Sequence, residues 1–265
     1  MTISKLRKNN NIEPIANPSN ITAHHSQPHT GKAPLNEYGS KSDRYSIPSF
    51  NEATRKLSAA ASGFYFRGWI LGTSGNLSAV TGLKPTRITI TKSEVDKGHL
   101  DESGFLEITS SGEVIRGSGC PSAETPIHVS IIEETGCRSV MHTHSVPATI
   151  LSLEHLRDGQ LIITGLEMLK GLDNVKTHEH IEVIPIIENS QDMKVISRSV
   201  REVLRKNRNA HAFLLSGHGL YTWGSSIYDA ARHVEVLEFI LEVILKLRPD
   251  YSKAERVKME QIVEG

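Results

Sequence analysis

Two histidines one residue apart close an apolar run in VMHTHSVPA, residues 140–148. On a strand, side chains at i and i+2 point to the same face, so His142 and His144 present both imidazoles together. Either one is a satisfied surface histidine and the other incidental, or the pair is half of a metal site, since neutral imidazoles bind zinc; the pair alone does not decide. A third imidazole, His218, stands in LLSGHGLYTWG, again where glycines interrupt an apolar strand. Either it fills a tight Gly-His-Gly turn, or it joins the pair if both strands end at one rim of a sheet. Three protein ligands and an open position describe catalytic zinc, whereas structural zinc is closed by four.

The other titratable residues are more ambiguous. His178 and His180 precede a strand in polar company and read as a solvated loop. His128, His211 and His233 have no evident partners, and packing or surface use is the reading for each. Glu124 in CPSAETPIH stands just before a proline-started helix, where the helix dipole favours a carboxylate. Glu167 in ITGLEMLKG lies among apolar residues; burial would raise its pKa and suit it to proton transfer. Ordinary surface or capping use is the alternative for both. GTSGNLSA, residues 72–79, is a small glycine-bearing turn whose backbone N–H groups can cradle a phosphate. It matches neither the P-loop nor the dinucleotide fingerprint.

Regular elements must position these groups. Phe50, Ala53, Leu57, Ala60, Ala61 and Phe64 follow helical spacing. TRITIT (86–91) and FLEITS (105–110) read as strands, and SSGEVI as a hairpin return. TPIHVSIIEETG predicts a helix with Thr125 as N-cap, Pro126 at its first position and Gly136 as its stop. CRSVMH is a buried strand ending at the histidines, and IEVIPII (181–187) is another. SQDMKVISRSVREVLRKN predicts an amphipathic helix with apolar Val195, Ile196, Val200, Val203 and Leu204. AHAFLLSGHGLYTWG reads as strand, break and strand, and a long helix follows, opened by Ser226 and Asp229 as a capping box and closed before Pro249. This mixture implies an α/β sandwich, its sheet covered on both faces.

The chain has 265 residues, with 30 Lys+Arg against 30 Asp+Glu, so charge makes no case for nucleic acid or an anionic membrane. Two cysteines, Cys120 and Cys137, are too few for a disulfide framework and suit a reducing cytoplasm. The opening MTISKLRKNNNIEPIANP lacks the apolar core of a secretory signal, and no stretch approaches the ~20 apolar residues that span a bilayer. Residues 1–45, rich in Asn, Ser, Pro, His and Lys without a sustained period, read as a disordered extension. HHSQPH within them can bind metal loosely, as any solvated histidine tract can. Residues 46–265 form one domain on this reading.

Four stretches in order, GTSGNLSA, PSAETPIH, VMHTHS and GHGLY, resemble the class II aldolase/adducin family across roughly residues 50–248. GLEMLKG, VIPIIENSQD and HGLYTWG are most similar to a branch of it that dehydrates a 2-keto sugar phosphate in methionine salvage. The resemblance implies a three-layer α/β/α sandwich around a mixed, largely antiparallel sheet, usually assembled as a homotetramer. It implies one zinc per subunit held by His142, His144 and His218. Glu124 matches a proton-transfer glutamate beside the metal, and Glu167 the dehydratase acid/base residue. Gly75, Asn76 and Ser122 match phosphate-loop positions. An aldolase or epimerase acting on another ketose phosphate, and a non-catalytic adducin-like module, are the alternatives. The chain departs from the pattern at Glu94, Cys120 and Ala123, where phosphate-site residues differ.

Overall fold

Phe50, Ala53, Leu57, Ala61 and Phe64 are all buried and form the inner face of helix α1 (Phe50–Phe66), whose N-cap Ser49 accepts a hydrogen bond from the Glu52 amide. This computed structural model describes residues 46–247. The expected extension over 1–45 and the stop at Pro249 lie outside the described residues.

Among the described residues nine strands make one sheet: β1 (Asn76–Leu83), β2 (Thr86–Thr91), β3 (Phe105–Thr109), β4 (Val114–Arg116), β5 (Ser139–Thr143), β6 (Gln160–Ile163), β7 (Glu182–Ile187), β8 (Ala212–Leu215) and β9 (Gly219–Gly224). Their order is β4-β3-β2-β1-β5-β9-β8-β7-β6. Every pairing is antiparallel except β7 with β8. The remaining helices are α2 (Thr125–Thr135), α3 (Val146–Glu154), α4 (Met193–Lys206) and α5 (Ile227–Lys246).

Strand side chains alternate between faces, and the core divides accordingly. Val80, Ile88, Ile108, Val140, Phe213 and Tyr221 pack on one face with α2 and α4. The opposite face carries Leu77, Ala79 and Met141 against α1 and the start of α5, and Leu214 and Leu220 against α3 and the rest of α5. The result is the expected α/β/α sandwich. Ser226 and Asp229 open α5 as expected, the Ser226 hydroxyl accepting from the Asp229 amide.

Some local expectations fail. The N-cap of α2 is Glu124, not Thr125; its side chain makes no capping bond, and Gly136 ends the helix in the left-handed region. In α4, Ile196, Val200 and Leu204 are buried one turn apart, but Val195 faces solvent. Strand β1, NLSAVTGL, is buried along nearly its whole length, so small and polar residues hide its period. Edge strand β6 is only four residues long, and α3 is a short helix capped by Ser145.

Candidate metal centre

Antiparallel pairing of β5 with β9 sets His142 opposite Tyr221 and Thr143 opposite Leu220, so the end of β5 meets the turn before β9. His218 occupies that turn, its amide bonded to the Leu215 carbonyl at 3.0 Å. Both strands therefore end at the same rim. Strand β5 stops at Thr143, which leaves His144 one residue beyond it, where its amide donates to the Trp69 carbonyl at 2.7 Å. The rings still meet, with His142 and His144 centroids 4.5 Å apart.

The three imidazoles converge through one kind of atom. His218 Nε2 lies 3.2 Å from His142 Nε2 and 3.1 Å from His144 Nε2. Glu124 closes on the same point, Oε1 being 3.0 Å from His218 Nε2 and Oε2 3.5 Å from His142 Nε2. Glu124, His142, His144 and His218 are the metal-competent cluster among the described residues. The donors fit a divalent metal. His142 Nδ1 donates to the Leu220 carbonyl at 2.9 Å, which fixes its proton there and turns the Nε2 lone pair inward. Burial drives His142 well below its ordinary pKa and His144 down to about 4, so both stay neutral and ready to ligate. Burial opposes charge on Glu124, but the hydrogen bond from the Asn76 amide and any positive charge carried at the His142 and His218 imidazoles outweigh it and hold the carboxyl well below its usual range. Three imidazole nitrogens and a carboxylate pointed at one spot leave a cation as their natural common partner.

The loop before β1 abuts this centre. Gly72, Thr73 and Gly75 all lie at positive φ. A Cβ on Gly75 would stand 2.6 Å from Ile70 Cγ2 and 2.8 Å from the His142 carbonyl oxygen, so this residue must be glycine. Asn76 Nδ2 reaches Ser122 Oγ at 3.2 Å and Glu124 Oε2 at 2.5 Å, joining two of the predicted phosphate residues to the cluster. Glu94 is exposed at positive φ beside Ser93, whose amide donates to the Cys120 carbonyl.

Glu167 does not follow its expectation. It begins a 3₁₀ turn (Glu167–Gly171), its side chain is 70% exposed, and it pairs with Lys170 at 2.5 Å rather than with the histidines. That hydrogen bond lowers its pKa, the reverse of the predicted rise. Apolar neighbours in sequence did not bury it, because the turn sends Leu169 into the core and leaves Glu167 and Met168 facing out. His178 lies in the same solvated region, 3.6 Å from Glu167, and His180 pairs with Glu182. Neither joins the cluster. His211 and His233, read as partnerless, are both hydrogen-bonded: His211 between Glu182 and the Asp173 carbonyl, His233 to the Trp223 carbonyl.

Sequence reasoning missed three groups around the centre. Tyr221 stacks on His142 with centroids 3.8 Å apart. Buried Lys97 donates to the Thr73 and Val95 carbonyls at 2.8 and 2.9 Å, bracing the glycine loop from below. Thr143, between the two histidines, donates to buried Glu238 of α5. Only strand register and tertiary packing bring these residues near; a lysine in an otherwise polar loop gives no sequence signal.

Residues 55–245 match the family described as Class II Aldolase and Adducin N-terminal domain. The chain is 35% identical to the methylthioribulose-1-phosphate dehydratase of Alcanivorax borkumensis, over 77% of this chain and 95% of that one. It is 37% identical to the enzyme of the same name from Azotobacter vinelandii, over 76% and 97%. The crystal structure of L-fuculose-1-phosphate aldolase from Thermus thermophilus superposes with a TM-score of 0.59 at 26% identity, covering 72% of this chain and 93% of that one. Since the family match runs from α1 into the end of α5, through every element that carries a residue of the cluster, this chain belongs to the class II aldolase and adducin family.

Proposed function

We propose that the chain dehydrates 5-methylthioribulose 1-phosphate to 2,3-diketo-5-methylthiopentyl 1-phosphate, a step of methionine salvage in the cytoplasm. The observation that carries the reading is likeness at 34–39% identity to relatives bearing that dehydratase name, two of which are covered over 95% and 97% of their length. His142, His144 and His218 would hold one zinc ion. Bound there, zinc supplies Lewis-acid polarisation of the substrate's C2 carbonyl.

The chain's own groups account for the protons. Dehydration removes the C3 proton, expels the C4 hydroxyl as water and leaves an enol that ketonises, so one carboxyl must take a proton and one must give it. Glu124 is ionised, faces the donor cluster and is held by Asn76, which suits it to a base. Glu167 is the candidate acid/base for the C4 hydroxyl. Met168 beside it is exposed, and covering this turn in a homotetramer would bury Glu167 and raise its pKa. Lys97 places an ammonium under the Gly72–Gly75 turn, which supports anion binding there, with Gly75, Asn76 and Ser122 as the phosphate-loop positions. Residues 46–265 form the catalytic domain on this reading.

The exposure of Glu167 favours one other reading, an aldolase or epimerase acting on another ketose phosphate through Glu124 alone. A non-catalytic module has no need of the three convergent imidazoles. Incubation of purified protein with methylthioribulose phosphate separates the readings: diketone should accumulate, whereas aldehyde cleavage products would overturn the dehydratase assignment.

A further inference from the structure

His128 lies one helical turn after Glu124 on α2, fully buried and outside the donor cluster. Both of its nitrogens are engaged. Nδ1 is 2.7 Å from Ser78 Oγ, and Nε2 meets Asn76 Oδ1. The far end of this chain fixes its direction. Asn76 Nδ2 lies 2.5 Å from Glu124 Oε2 and 3.2 Å from Ser122 Oγ, so its NH₂ faces both the carboxylate and the Ser122 hydroxyl. Asn76 Oδ1 is then an acceptor, and His128 must carry its proton on Nε2. Its Nδ1 accepts from the Ser78 hydroxyl. Burial, which pushes the ring down to about 4, keeps it neutral.

We propose that His128 is a positioning residue that, through Asn76, aims the Glu124 carboxylate for proton transfer. An N–H at His128 Nε2 seats the Asn76 amide oxygen and so adds to the preference for the rotamer that presents the NH₂ to Glu124; a flipped amide would set its oxygen against Glu124. The Asn76 side chain, with its oxygen and both hydrogens engaged inward, has no donor left for a substrate phosphate, so only its backbone can serve the loop. The inference rests on the proposed proton-transfer role of Glu124.

The test uses the full, metal-loaded chain. His128→Phe preserves an aromatic ring beside Tyr221, 6.1 Å away between centroids, and removes both hydrogen bonds. His128→Gln keeps an N–H near the Nε2 position. On methylthioribulose phosphate, kcat of the Phe variant should fall about 10- to 100-fold, the usual cost of losing such a supporting partner, with KM and metal content near wild type. The Gln variant should recover most of that loss. Long-range ¹⁵N–¹H correlation on the wild-type protein should report His128 as the Nε2–H tautomer, a readout that needs no substrate. An unaltered kcat in the Phe variant, a loss of metal in its place, no rescue by Gln, or the Nδ1–H tautomer would overturn the proposal. If the Phe variant does not fold, Ser78→Ala should give a smaller fall in kcat, and no fall counts against it. If wild-type protein leaves this substrate untouched, the dehydratase reading fails, and the tautomer still decides the hydrogen-bond chain.

Discussion

His218 Nε2 and His144 Nε2 stand 3.1 Å apart although 74 residues separate them, and His142 and Glu124 turn their own donor atoms to the same point. Imidazole nitrogens brought this close call for a proton or a cation between them, since each can accept only through its lone pair. The cluster is therefore a site built for a positive charge.

That charge is measurable. Purified protein should carry about one zinc per chain by elemental mass spectrometry, as three imidazoles with an open position imply. His142→Ala and His218→Ala should each lose the metal and turnover together. Retention of metal by both variants would remove the cluster as its site.

Replacing Glu167 with Gln keeps the size of the side chain and removes the transferable proton. Metal should remain bound while turnover drops by roughly 10²–10⁴-fold. Normal turnover in this variant beside an inactive Glu124→Gln would leave Glu124 as the sole acid/base and move the assignment toward an aldolase or epimerase.

The turn that carries His218 tolerates no extra atom. A Cβ on Gly219 would lie 1.9 Å from the Thr143 carbonyl oxygen, within the β5–β9 pairing. Gly219→Ala should destabilise by at least the roughly 1–3 kcal/mol typical of overpacking, and it should weaken metal binding as the strands part. A wild-type denaturation midpoint would contradict this close approach of Gly219 to Thr143.

Glu238 makes stability depend on pH. Burial pushes its carboxyl up to about 7, against hydrogen bonds from Ser145 and Thr143. Its folded pKa exceeds the ordinary glutamate value, so the native state binds the extra proton and stability falls as pH rises between about 4.5 and 7. The span corresponds to about 3 kcal/mol. In Glu238→Gln protein that part of the decline should vanish from denaturant titrations run across this pH range; an unchanged slope would show that the carboxyl ionises freely.

Much of the site was legible in the sequence. His142 and His144 followed an apolar strand, His218 followed another beside glycines, and those local patterns sufficed to nominate the three imidazoles. The helices α1, α4 and α5 and the strands β2, β3 and β7 were readable because apolar periodicity and capping are local properties. Strand β1 was not, since a strand buried on both faces has no alternation to detect. Glu167 showed the opposite failure: apolar neighbours suggested burial, and a 3₁₀ turn sent Leu169 inward and the glutamate out. Tertiary structure alone decided that Glu124 faces the imidazoles, that Asn76 and His128 hold it, and that Lys97 lies under the glycine loop. These contacts join residues 18 to 94 positions apart. Their partners are chosen by strand register and helix packing, which depend on the whole sheet and leave no mark in any short stretch of sequence.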